Sequence, residues 1–427
     1  MTHAHHSHLA LVRRQIPQWL SQASPARRAE LALLIRDSER QTQRLKQAMA
    51  PLQPVDTFCL PLLTQALAQW FPDTPVATLL QAHVVFTGAT PPRRMSVLEA
   101  ALQNAEAHTP VRLLAADLSP LKLDAATFIQ GIRNLDLGQR YRYHLGDIVD
   151  NDTFRDLLEN QDRSALCAEL AMARLRGHID SRGAALAQAA LANRAQITTD
   201  KGRRNVLCQF VSLFGSPLNG PMVIQLQAPE ADDPCLLYLP GDPQGALRQH
   251  ASLGSLRSDL TNRLADHDFR TFFIRHVPLA QQARFLQRLR ETLYPHYPYA
   301  DLRATTPVLD KGERFSWLKR AFPGPRDIWQ ATRDKNARLP LTLAPWPGNC
   351  FRARARTLVE RKFLDAACVA VPVRQLDALA QLEHLESWLS AGLTVLNLAS
   401  FFVPGLAELM LVVGGAQIVD GFLEGVH

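Results

Sequence analysis

Hydrophobic positions recur every three or four residues through most of the first two hundred, the period of helices with one buried face. Ser24 and Pro25 supply an N-cap and a first-turn proline for "ARRAELALLIRDSERQTQRLKQAMA". Leu31, Leu34, Ile35 and Leu45 fall near one face of it, and it ends before Pro51. A second helix is predicted over "LPLLTQALAQWF", stopped by Pro72. A third covers "SVLEAALQNAEA", where Ser96 and Glu99 make a capping box in which each side chain can satisfy an amide of the other's turn. "DAATFIQGIRNLDLGQRYRYHLGDIV" and "RSALCAELAMARLRGHI" continue the helical period.

Just past residue 200 the pattern changes. "NVLCQFVSLF", "MVIQLQ" and "CLLYL" are short, rich in β-branched and aromatic residues, and separated by the turn-forming "GSPLNGP" and "APEADDP". They predict a small antiparallel meander of three strands between Asn205 and Leu239. Helices resume after Gly241, with Leu253, Leu256, Leu260 and Leu264 on one face and "AQQARFLQRLRETL" behind them. The expected class is α+β, predominantly helical. It divides into a leader over 1–23, a helical bundle over 24–200, the meander with packing helices over 201–300, a basic connector rich in proline and aromatic residues over 301–350, and a helical segment over 351–427 that ends in an apolar hairpin.

That hairpin is read from "TVLNLASFFVPGLAELMLVVGGAQIVDGFLEGVH". Between Glu386 and Glu408 lie 21 uncharged residues, long enough for a membrane span. Asn397, Ser400 and the central Pro404-Gly405 interrupt the run, however, and Glu408, Gln417 and Asp420 punctuate the second apolar stretch. Two shorter helices turned at Pro404-Gly405 fit better than one spanning helix.

Composition adds three exclusions. Six scattered cysteines with no C-x-x-C pair argue against a zinc site or a disulfide framework, so reduced thiols packed as small hydrophobes are expected. Arg13 and Arg14 break the only apolar run of the N-terminus, which argues against a Sec signal, and its four histidines receive no role. No helix-turn-helix, RRM or OB pattern points to nucleic acid. Charge, by contrast, is concentrated. Lys311 to Lys362 carries thirteen Lys and Arg against four Asp and Glu, a net of +9, whereas the whole chain is +7. Aromatic residues, among them Trp317, Trp329 and Trp346, interleave this segment. An anionic membrane would attract it at about 1 kcal/mol per cation near the bilayer. The candidate membrane-interaction residues are Arg352, Arg354 and Arg356, with Phe401, Phe402, Pro404 and Gly405 in the hairpin.

Three longer blocks carry a resemblance. "RNLDLGQRYRYHL" (133–145), "LLYLPGDPQGALRQHASLGSLRSDLTNRLADHDFRTFFIRHVP" (236–278) and "LNLASFFVPGLAELMLVVGGAQIVDGFLEGV" (396–426) resemble, in order, the dermonecrotic-toxin-type N-terminal domain. Such domains lead very large bacterial toxin-like and effector proteins and precede further modules, including leucine-rich repeats and ubiquitin-ligase-like domains. The resemblance implies a non-catalytic module that positions or delivers downstream modules in cis, with no cofactor, metal or catalytic residue of its own. It also implies a bacterial protein made in the cytoplasm, delivered by a non-Sec route, and meeting an anionic membrane or a host protein. Relatives continue past the point at which this chain stops, so a truncated reading is expected.

Two other classes stay open: a hydrolase or transferase with an unrecognised Cys/His or carboxylate site, and a purely structural scaffold. Cys350, in "PWPGNCFRARAR", sits among arginines that could lower a thiol pKa, with His250, His267 or His276 as a distant base. The run Tyr238 to Pro243 lacks the spacing of a phosphate loop, and its prolines remove amide donors, so a strand-ending turn around Asp242 is expected. The pairs Asp232/Asp233 and Asp266/Asp268 fall where caps and turns need short polar side chains. Tyr294, Tyr297 and Tyr299 are read as a connector packing its rings on helices.

Overall fold

The computed structural model of the chain describes residues 17–88, 92–295 and 333–375. The expected hairpin, with Phe401, Phe402, Pro404 and Gly405, lies outside the described residues, as do Tyr297, Tyr299 and the basic stretch up to residue 332. In chain order the elements are α1 (Pro25–Met49), α2 (Val55–Trp70), α3 (Val76–Gln81), β1 (His83–Phe86), β2 (Arg93–Ser96), α4 (Val97–Gln103), β3 (Val111–Leu114), α5 (Ala125–Leu135), α6 (Leu137–Val149), α7 (Asp152–Leu175) and α8 (Ser181–Leu191). Then come β4 (Gln196–Thr199), β5 (Gly202–Leu213), β6 (Ser216–Leu226), β7 (Cys235–Tyr238), β8 (Leu247–His250), α9 (Leu253–Leu264), α10 (His267–Phe273), α11 (Gln282–Leu293), β9 (Leu341–Pro345) and α12 (Cys350–Val369). The class is mixed α+β with antiparallel sheets. The described residues fall into two compact units, one of 47–88, 92–154 and 359–375, the other of 17–46, 155–295 and 333–358.

In the smaller unit, helices surround a three-stranded sheet of order β2-β1-β3, with His83 opposite Ser96 on one side and Leu114 on the other. The helical bundle expected over 24–200 is therefore corrected, since β1 to β4 lie within it. Four-residue strands such as "RRMS" are too short to show an alternation. The capping box at Ser96 forms as expected, with Glu99 N donating to Ser96 Oγ at 3.2 Å and Ser96 N donating to the Glu99 carboxylate at 2.6 Å. The helical run over 124–149 forms two helices. Asp136 adopts a left-handed φ of 41° between them, and its carboxylate caps α6 through Gln139 N. Two residues later, Gly138 admits the backbone of Val371, whose carbonyl carbon would lie 2.4 Å from a Cβ at that position.

The larger unit is built on a six-stranded antiparallel sheet of order β4-β5-β6-β7-β8, in which β9 also pairs with β5. The expected meander is present as β5, β6 and β7, but three further strands join it. β8, "LRQH", is too polar to read as a strand, and β9 lies inside the expected connector. Both faces of the sheet are covered. Val223 and Leu237 face Leu256, Leu260 and Phe285 of α9 and α11, whereas Met222, Ile224 and Leu236 face Leu170, Ala187 and Phe351 of α7, α8 and α12. Neighbouring residues thus alternate between two cores. This explains why β6 and β7 read as continuous apolar runs.

Candidate functional site

The chain turns sharply between β7 and β8, and one aspartate organises the turn. Asp242 is 1% exposed, and its Oδ1 accepts hydrogen bonds from Gln244 N at 3.0 Å and from Arg263 Nη2 of α9 at 2.6 Å. Backbone amides are consumed within the turn itself: Asp242 N donates to Leu239 O, Gly245 N to Asp242 O and Leu239 N to Ala246 O. None of these three amides is free to cradle a phosphate, in agreement with the expected strand-ending turn. Gly245, at φ 111°, lets the backbone pass Arg176 and His178, because a Cβ there would lie 3.0 Å from Arg176 Nη1.

Around Asp242 gather groups from four parts of the chain. Arg248 of β8 donates to Gln244 O at 2.6 Å, and Arg263 lies 3.8 Å over the Phe269 ring. Arg176 lies close enough to act on His178 electrostatically, Asp259 on His250, and Arg248 on all four. Burial pushes the His250 imidazole below its ordinary range, and Arg248 and Arg263 add to that against Asp259. His178 is shifted the same way, by burial first and then by Arg248 and Arg176. Asp242 Oδ2, Asp259 Oδ2, His250 Nε2, His178 Nδ1, Arg248 Nε and two nitrogens of Arg263 are buried without a protein partner among the described residues. Such atoms require water or a polar ligand. The cluster adjoins an open cleft of about 590 Å³, lined in part by His178, Asp180, Arg182, Asp232 and Gln249.

A second cluster is closed. Arg354, near the start of α12, is 8% exposed and forks onto Asp162 of α7, Nε to Oδ2 at 2.6 Å and Nη2 to Oδ1 at 3.0 Å. Its Nη1 donates to the Gly220 carbonyl, and its guanidinium lies 5.2 Å from the centroid of Tyr238. Burial, then the Asp162 charge, holds the Tyr238 phenol far above its ordinary range. Arg354 is thus a buried structural cation, which corrects its assignment to a membrane-facing surface. Successive helical residues turn about 100°, so Arg352 and Arg356 share a face that Arg354 does not. Arg356 is exposed, and Arg352 is half-exposed at 3.6 Å from Asp156.

Cys350 opens α12 behind Asn349, whose Oδ1 accepts from Phe351 N and Arg352 N. Its thiol pairs with the Cys208 thiol of β5. None of the three histidines considered for it is shown pairing with it: His250 belongs to the turn cluster, His276 Nδ1 is 2.7 Å from the Asn219 carbonyl, and His267 is exposed beside Asp268. One carboxylate of each pair serves the fold as expected, Asp266 capping α10 through Phe269 N and Asp233 accepting from Glu230 N and Arg204.

Of the turn cluster, sequence reasoning singled out Asp242 and His250 and missed Arg263, Arg248, His178, Arg176 and Asp259. The comparisons place that cluster within a known module. Residues 49–280 match the family model described as dermonecrotic toxin, N-terminal domain. No curated protein matches the chain.

Proposed function

The chain belongs to the dermonecrotic toxin N-terminal domain family, and on that premise we propose that this toxin module is non-catalytic and positions or delivers further modules of the same polypeptide. The observation that carries this reading is the extent of the match, 49–280, which includes the whole turn cluster. It is supported by the use the fold makes of its reactive groups: Asp242 fastens a turn, Arg354 and Asp162 join α12 to α7, and Cys350 lies 3% exposed at a helix start. The proposal includes synthesis in the bacterial cytoplasm, delivery by a non-Sec route, and partners that are the downstream modules in cis together with an anionic membrane or a host protein.

The test uses the complete protein. Asp242→Ala, His250→Ala and Cys350→Ala should each leave the cellular phenotype intact in proportion to the folded protein remaining. A single change that abolishes the phenotype at an unchanged thermal midpoint overturns the reading in favour of a hydrolase or transferase.

Membrane association is the finer part of the proposal. It rests on the basic segment Lys311 to Lys362 and on the exposed Arg356, and no longer on Arg354. Among the described residues, no helix is long and apolar enough to cross a membrane; the mode proposed, peripheral or hairpin-type, follows from the Pro404-Gly405 break in the apolar tail. Flotation with anionic liposomes at low salt should recover the protein, and high salt should release it. A chain that stays unbound at low salt removes the membrane role.

A further inference from the structure

Two of the six cysteines are not packed as isolated hydrophobes. Cys208 lies in the middle of β5, and its carbonyl accepts a hydrogen bond from Trp346 N at 2.9 Å. Four residues on, Cys350 begins α12, and both side chains belong to the same core on one face of the sheet. Within that core the two thiols lie close enough to act on each other. Access is unequal, since Cys208 is half-buried and Cys350 is 3% exposed. The surroundings are cationic: Arg354 and Arg163 both act on Cys350, and Arg163 stacks 4.7 Å from the Phe351 ring beside it.

We propose that Cys208 and Cys350 form a redox modification site, at which a small-molecule disulfide such as oxidised glutathione converts the touching thiols into one intramolecular disulfide joining β5 to the start of α12. The inference is independent of the delivery reading. The hydrogen bond from Cys208, reinforced by Arg354, draws the Cys350 thiol below its ordinary range despite its burial, and the same pairing pushes Cys208 up. Once the pair has lost one proton to solvent, the other is shared by two neighbouring sulfurs. Its passage to Cys350 frees the more exposed Cys208 to attack the reagent, forming a mixed disulfide and releasing one glutathione thiolate, which takes that proton. The Cys350 thiolate, already in contact, attacks the Cys208 sulfur and expels the second glutathione as its thiolate. Two protein sulfurs are oxidised and one reagent disulfide is reduced to two thiol equivalents.

The experiment treats the folded chain with excess oxidised glutathione, quenches it by alkylation in denaturant, and maps peptides without reduction. The expected result is loss of two hydrogens, a Cys208–Cys350 cross-linked peptide, and alkylation of Cys59, Cys167, Cys235 and Cys368. Oxidation should also raise the thermal midpoint by several degrees, reversibly with dithiothreitol, because the link closes a long loop. Cys208→Ser and Cys350→Ser should show neither the cross-link nor the reversible rise. Stable glutathione adducts on either cysteine without cross-linking would overturn the proposal. So would a folded chain that does not react under conditions in which the urea-unfolded chain does.

Discussion

The two polar clusters of the larger unit use the same residue types and treat them differently. At Arg354, the fork onto Asp162, the Gly220 carbonyl and the Tyr238 face account for the guanidinium on several sides. At Arg263 a single bond reaches Asp242, while Nε and Nη1 of the arginine and Oδ2 of the aspartate stay without a protein partner among the described residues. A buried ion pair holds a fold when its remaining lone pairs and protons are also satisfied, and otherwise it depends on water. The closed cluster is therefore a fastening, and the open one a place where solvent or a polar ligand completes the structure.

The largest effect should come from opening the closed cluster. Arg354→Ala leaves Asp162 charged in the interior and the Gly220 carbonyl without its donor. A loss of about 3–5 kcal/mol is expected, read as the midpoint of urea unfolding.

Lys362 in the smaller unit sharpens the same point. It is 3% exposed, and burial lowers its ammonium pKa to about 7, Asp365 opposing and Arg361 reinforcing the shift. The unfolded chain holds that proton up to a pH of about 10.4, so between pH 7 and 10 it binds more protons than the folded chain and stability rises with pH. Lys362→Met should stabilise on the order of 2–4 kcal/mol at or below pH 7, with the gain shrinking towards pH 10. A gain independent of pH would show that burial of charge is not its source.

The open cluster should be more forgiving. Asp242→Asn keeps the turn geometry and removes the charge that faces Arg263, and the neighbouring atoms depend on solvent or a polar ligand in either case, so a loss of about 1–2 kcal/mol is expected by the same measurement. Arg352→Gln with Arg356→Gln should move stability by less than about 0.5 kcal/mol. The same double change should weaken liposome flotation if this face meets a membrane.

How much of the fold and the clusters is legible in the sequence depends on where each residue's partners lie. The Ser96 capping box and the runs that form β5, β6 and β7 are written locally, in spacing that a short window captures. β8 and β9 are not, because their pairing comes from neighbours rather than from their own composition. Asp242 is visible as a polar residue in a Pro-Gly turn. Arg263 is hidden, since an arginine on the amphipathic α9 reads as solvent-facing until a distant turn is laid against it. Arg354 could have been found: residues 352, 354 and 356 alternate, and on a helix the middle one faces away from the other two.

The edge of β5 has a consequence in time. Its first residues pair with β4, immediately upstream, but Gln209 to Leu213 pair with β9, which begins only at Leu341. During synthesis at about 5–20 residues per second, that stretch of edge waits on the order of ten seconds for its partner to leave the ribosome. An apolar strand with unsatisfied amides is a template for any other strand, including the same segment of a second nascent chain. β9 is thus a late-arriving cover, and the interval before it docks is when this polypeptide is most exposed to pairing wrongly.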